Sequence, residues 1–212
     1  MLADLPVRLD DHQRATLDAY IAELERVNRH VNLVARPASR ADVVRHVRHC
    51  LALATRPFPD GAVLVDWGSG GGLPAVPLAV AFPEVRVVAV DAVGKKTEAV
   101  RLFARRLEIE NLDVWNGRAE AYSGPAPHYA VSRATAPLAD LWRWFDACRQ
   151  PLADAPAEAW APGLVCLKGG DLAQEIADLE READGLQVSM ASLAATLGAD
   201  WDDKAIVHVA DA

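Results

Sequence analysis

The chain has 212 residues, 51% of them hydrophobic and 25% charged, which suits one large soluble domain and excludes the low-complexity composition of a disordered chain. A net charge of −8 argues against indiscriminate coating of nucleic acid, and three scattered cysteines (Cys50, Cys148, Cys166) argue against a disulfide framework or zinc module. The longest apolar run, residues 73–82, is about half a spanning helix and is broken by Pro74 and Pro77, and the N-terminal residues lack the apolar core of a secretory signal. A cytoplasmic protein with no membrane partner is expected.

Leu17, Tyr20, Ile21, Leu24 and Val27 recur at three- and four-residue spacing and predict a helix over residues 11–27. Ser39 with Asp42 resembles a capping box and opens a second helix through Val43, Val44, Val47 and Leu51, ended by Pro57 and Pro59. Both precede anything strand-like, so residues 1–60 are expected to form an N-terminal helical extension. Here Arg26, Arg29, Arg36, Arg40, Arg45, Arg48 and Arg56 face only Asp42, with His30, His46 and His49 between them; the net negative charge comes from residues 151–212. A solvated arginine-rich helix pair and an RNA-facing patch fit this charge equally.

From residue 63 strands and helices alternate. Short apolar runs predict strands at 63–65, 85–90, 112–115, 129–132 and 164–167, with helices at 76–81, 97–107 and 138–148. A helix at 172–183 precedes strands at 186–190 and 205–209, expected as an antiparallel edge. The pattern predicts an α/β fold over residues 61–212: a doubly wound, mostly parallel sheet with helices on both faces, forming one structural unit. Residues 151–163, rich in Ala and Pro, are expected as a loop.

Asp66-Trp67-Gly68-Ser69-Gly70-Gly71-Gly72-Leu73-Pro74 follows directly on the first strand. Glycines at 68, 70 and 72 let a ligand lie against bare backbone, and Pro74 suits a helix start. Asp91 ends the second strand, where a carboxylate accepts hydrogen bonds from both hydroxyls of a ribose. Together these point to a nucleoside-containing cofactor at the C-terminal edge of the sheet. Gly70-x-Gly72-x-x-Ala75 also satisfies the loose dinucleotide fingerprint, which leaves an NAD-dependent oxidoreductase as one reading. Asp66 argues against it, because a carboxylate repels a pyrophosphate but suits a cofactor bearing an ammonium group.

The order D-x-G-x-G-x-G resembles the first motif of class I S-adenosylmethionine-dependent methyltransferases, a Rossmann-like fold. No Asn/Asp-Pro-Pro-Tyr-like turn is present to receive protons from an exocyclic amine. Cys166 in an apolar strand and Cys148 on a helix are poor sources of the thiolate that methylation of a pyrimidine carbon needs. Guanine N7 already owns a lone pair and needs alignment rather than a base.

The chain resembles the RsmG (GidB) family of bacterial 16S rRNA guanine-N7 methyltransferases. The matching elements are Asn28-x-x-x-Asn32-Leu33, Arg45-His46, the glycine segment, Asp91 with Lys95-Lys96, Asn111-Leu112, Arg118-Ala119-Glu120, Ser132-Arg133-Ala134 and Leu167-Lys168-Gly169, in family order. The resemblance implies S-adenosylmethionine as cofactor, held by Gly68, Gly70, Leu73, Asp91, Ala119, Glu120 and Arg133. It implies no metal and a partner in 16S rRNA or the small ribosomal subunit, with the N-terminal helices on the 530-loop region. Arg133 is the expected positioning residue of the reacting centre, and Arg45, His46 and Lys168 are expected substrate contacts. Departures are Val27-Asn28 for Trp-Asn, His49-Cys50 for Asp-Ser after Arg45-His46, Ala75 for Gly, and Asp91-Ala92 for Asp-Ser. They leave a catalytically silent, ribosome-associated cofactor-binding protein as the alternative.

Other groups have plainer expectations. His46 and His49 share a helix face but have no acidic or cysteine ligand nearby in sequence. Trp142 and Trp144 are expected to pack; Lys95 and Lys96 bind phosphate or solvate a helix start; Arg101 and Arg105 lie on one solvated face.

Overall fold

The computed structural model describes residues 5–34, 38–133, 135–153 and 155–212; Arg36 and Ala134, both part of the reading above, lie outside the described residues. One sheet contains β1 (Val63–Trp67), β2 (Arg86–Asp91), β3 (Leu112–Asn116), β4 (Tyr129–Arg133), β5 (Gly163–Gly169), β6 (Leu186–Ser192) and β7 (Lys204–Asp211), in the order β3-β2-β1-β4-β5-β7-β6. Strands β1 to β5 pair in parallel, and β7 runs antiparallel to both β5 and β6. The expected antiparallel edge is there, with β6 outermost and β7 one strand in. Strand order reverses between β1 and β4, which opens a crevice beyond their C-terminal ends.

Each strand feeds two cores. Leu64, Val87, Ala89, Val131 and Val165 point to one face, and Val65, Trp67, Val88, Val90 and Ala130 to the other. Burial on both faces is why these strands read as continuous apolar runs rather than alternating ones. The first face is covered by α1 (Asp11–Asn28), α2 (Arg40–Leu51), α3 (Ala75–Ala81) and α4 (Gly94–Arg106), the second by α5 (Leu138–Asp146) and α6 (Ala173–Glu182). A single turn, α7 (Ala194–Leu197), follows β6.

Both N-terminal helices start on reciprocal caps. Ser39 and Asp42 form the predicted box on α2; Asp10 and Gln13 form another on α1. Leu17, Ile21 and Leu24 of α1 and Val43, Val47 and Leu51 of α2 share one core with Leu64, Val76 and Phe103. Tyr20 meets Phe103 edge-on at 5.6 Å and donates its hydroxyl to Gly71 O at 2.8 Å, tying α1 to the glycine loop. Asn28 closes α1: its Oδ1 accepts from Leu33 N at 2.8 Å and Val34 N at 3.1 Å. Asn111 gives its amide to the carbonyls of Ala79, Phe82 and Val85, all within 3.0 Å, and so fixes the turn between α3 and β2. Two motif asparagines are therefore loop staples.

Candidate functional site

Strand β1 ends at Trp67, and the chain then needs a backbone that L side chains avoid. Gly68 has φ +73° and Gly72 φ +90°; a Cβ on Gly68 would lie 2.2 Å from Thr135 Cγ2, and one on Gly72 2.6 Å from Val76 Cγ2. Ser69 N donates to Val90 O at 2.9 Å, which ties the loop to β2. Asp91 completes the tie: Oδ2 accepts from Gly70 N at 3.0 Å and Oδ1 from Val93 N at 2.8 Å. Two of its roughly four lone-pair positions are thereby used, and the Lys96 ammonium lies 3.7 Å from Oδ2.

Beside this loop lies a cavity of about 220 Å³, lined by Gly68, Asp91, Val93, Ala119, Glu120 and Trp144 among others. Four expected cofactor residues, Gly68, Asp91, Ala119 and Glu120, meet there. Gly70 and Leu73 do not line it. The Gly70 N–H is used by Asp91, and the Leu73 side chain, 3% exposed, belongs to the core under α1 and α3. Trp144 is a wall residue the sequence reading assigned to packing. Both tryptophans pack as expected: Trp142 is 4% exposed, and half-buried Trp144 meets Trp67 edge-on at 6.3 Å at the margin of the second core.

Asp66 differs more from expectation. It was read as a free carboxylate facing an ammonium, yet its residue is fully buried. Its Oδ2 accepts from Ala75 N at 3.0 Å, where α3 starts, and its Oδ1 has no partner. Burial pushes its pKa up to about 8, with the nearby Arg133 guanidinium pulling the other way. Ser69 Oγ is likewise buried without a partner. Bare backbone at Gly68, a carboxylate at Asp91 and unpartnered Oδ1 and Oγ atoms beneath the loop fit a ligand with a nucleoside and a zwitterionic end.

At the other end of the crevice Arg133 leaves β4. Its Nη1 is 3.4 Å from His46 Nδ1 on α2, and its Nε is buried with no partner. Burial, then the Arg133 charge, lowers the His46 pKa below its ordinary value. Three residues on, His49 is buried and tilted against Trp201 at 4.9 Å, its pKa pushed down to about 3 by burial and then Arg133. The exposed Arg45 guanidinium lies 4.0 Å from the centre of the Trp201 ring, and Nη2 donates to Asp200 O at 3.0 Å. The departure at His49 is thus accommodated as a neutral packed ring.

Lys168 is corrected by the structure. It was expected as an RNA or cofactor contact, but its side chain is 7% exposed, with Nζ 2.7 Å from Glu175 Oε2 and 2.6 Å from Ala136 O. A buried ammonium is held by a carboxylate and a carbonyl rather than left to recruit a ligand. The thiols are equally committed. Burial pushes Cys50 and Cys166 up to about 12 and Cys148 to about 11, and Cys148 Sγ donates to Trp144 O at 3.2 Å. Among the described residues no group of three His, Cys, Asp or Glu is placed to hold a metal ion, and no helix is long and apolar enough to cross a membrane.

Known proteins share both sequence and shape with this chain. Residues 13–200 match the family model GidB, rRNA small subunit methyltransferase G. The chain is 48% identical over 203 residues to the ribosomal RNA small subunit methyltransferase G of Salinibacter ruber, covering 95% of this chain and 94% of that protein. It is 37% identical over 183 residues to the protein of the same name from Chlorobium luteolum, covering 86% and 73%. Among solved structures, an O-methyltransferase from Bacillus cereus in complex with SAH superposes with a TM-score of 0.56 at 16% identity, covering 97% of this chain and 93% of that one. A ribosomal protein L11 methylase from Lactobacillus delbrueckii gives 0.58 at 13% identity, covering 79% of each. At such identities the likeness concerns the fold.

Proposed function

The chain belongs to the GidB family, rRNA small subunit methyltransferase G, and from that premise we propose that it methylates N7 of a guanine in the 530 loop of 16S rRNA. It is an S-adenosylmethionine-dependent rRNA methyltransferase of class I fold. When bound, S-adenosylmethionine supplies a methyl group made electrophilic by the sulfonium.

In this reading Asp91 holds the ribose hydroxyls, and Ala119 and Glu120 flank the adenine in the cavity beside Gly68. Arg133 takes the carboxylate end of the methionine, so that the reacting carbon is held over the β1–β4 crevice. The N-terminal helices, with Arg45 exposed, face the RNA. The observation that carries N7 over a pyrimidine carbon is the state of the thiols: all three cysteines are buried or half-buried with raised pKa values, so none supplies a thiolate. N7 needs in-line approach and no proton acceptor. A substrate in 16S rRNA supports a cytoplasmic location in this reading.

Labelled S-adenosylmethionine offered with 30S subunits lacking guanine-N7 methylation, and with naked 16S rRNA in parallel, tests this. Label at one 530-loop guanine, mapped by N7-selective strand cleavage, is expected. Label on another base or atom refutes the N7 assignment. No transfer despite cofactor binding would mark a silent binding protein.

Asp66 makes stability pH-dependent, and Asp66→Asn should flatten the pH dependence of the denaturation midpoint. A folded-state pKa above the unfolded one gives stability that is complete below the ordinary carboxylate range and is lost as pH rises through 8.

A further inference from the structure

Several arginines of this chain are neutralised: Arg86, Arg106 and Arg149 each have a carboxylate oxygen within 2.7 Å. Arg133 has none among the described residues, although Asp66 lies on the adjacent strand β1 and Asp91 ends β2. Its contact is a neutral ring atom, His46 Nδ1 at 3.4 Å, reached from an element 87 residues earlier. A carboxylate in that place would hold the guanidinium equally well but would cancel the charge an incoming anion needs. An imidazole acceptor orients one edge of the five-donor fork and leaves the charge unspent.

We propose that His46 is a positioning residue, its Nδ1 accepting from Arg133 Nη1 and so aiming the remaining N–H groups of the guanidinium into the crevice; this rests on the reading of Arg133 as the grip on the cofactor's carboxylate. The role requires an unprotonated Nδ1. Burial and the facing Arg133 charge lower the ring's pKa, and of the charged groups on its own helix Arg45 acts the same way while Asp42 opposes. His49, one turn on, is itself neutral. Because His46 belongs to α2, the device ties the RNA-facing extension to the reacting centre. Arg45, which the resemblance pairs with His46, turns instead to Trp201 and Asp200.

Two ligands separate positioning from bulk folding: S-adenosylhomocysteine, and 5′-methylthioadenosine, which lacks the amino-acid end. His46→Ala should weaken the first by about fivefold, as expected for loss of one long hydrogen bond to a charged group, and leave the second and the melting temperature unchanged. His46→Asn, whose Oδ1 can stand in for Nδ1, should restore most of the loss, and kcat for methyl transfer should follow the same order. Equal weakening of both ligands, wild-type affinity in His46→Ala, or no rescue by His46→Asn would overturn the proposal. If Arg133→Ala itself left S-adenosylhomocysteine binding unchanged, the reading of Arg133 would fall first, a result distinct from failure at His46 alone.

Discussion

Replacing Arg133 by alanine should lower kcat/KM for methyl transfer to 30S subunits by about a hundredfold, the value of two charge-assisted hydrogen bonds at about 1.5 kcal/mol each. Arg133 is half-buried at the end of β4, has no ion pair among the described residues, and holds an Nε with no protein partner. Its removal therefore breaks one weak contact in the free protein, and the melting temperature should stay within a few degrees. The loss should appear in S-adenosylhomocysteine affinity and in turnover. Arg133→Lys keeps the charge without the planar fork and should recover only part. A second readout needs no substrate. The Arg133 charge depresses both His46 and His49, so their NMR titrations should move upward in Arg133→Ala, though not fully, because burial is the larger cause in each. Wild-type cofactor affinity in the variant would remove Arg133 from the site.

Gly68→Ala should weaken S-adenosylhomocysteine by at least about a hundredfold, roughly 3 kcal/mol, while costing about 1–2 kcal/mol of stability. Two effects combine. A φ of +73° strains any L side chain, and the new methyl would meet Thr135 Cγ2 at 2.2 Å where the cavity opens. Gly61 isolates the first effect: its φ is +75° and nothing lies within 4 Å of the position a Cβ would take. Gly61→Ala should therefore cost similar backbone strain and leave cofactor binding intact. Chemical denaturation and calorimetric titration of both variants decide it. If Gly68→Ala bound cofactor as Gly61→Ala does, the cavity beside Gly68 would not be the adenosine site.

How much was legible differs from residue to residue. The Ser39–Asp42 cap and the glycine turns depend on contacts a few residues long, the parallel strands on the alternation of strand and helix along the chain, and each is found where periodicity and turn chemistry put it. Asp91 and Glu120 were expected at the crevice because the chain leaves the strands of a doubly wound sheet toward that edge, and both line the cavity there. Leu73 and Gly70 share the glycine segment yet do not line it; Leu73 turns into the core, which spacing does not distinguish. Asn28 and Asn111 resemble ligand residues in sequence and prove to be staples for carbonyls and amides of neighbouring turns.

Periodicity, capping and glycine placement were enough to determine the order of elements, the class of fold and the edge at which the glycine loop lies, because those follow from local backbone preference and from which faces must leave water. The tertiary structure decided which charges are available. Lys168 is spent on Glu175 and a carbonyl 32 residues away, Asp66 is buried beneath the loop it caps, and Arg133 keeps its charge because its neighbour is an imidazole brought from 87 residues earlier. Whether a buried charge is neutralised, paired or left free depends on distant partners meeting in a medium of low dielectric, and no pattern along the chain records who meets whom.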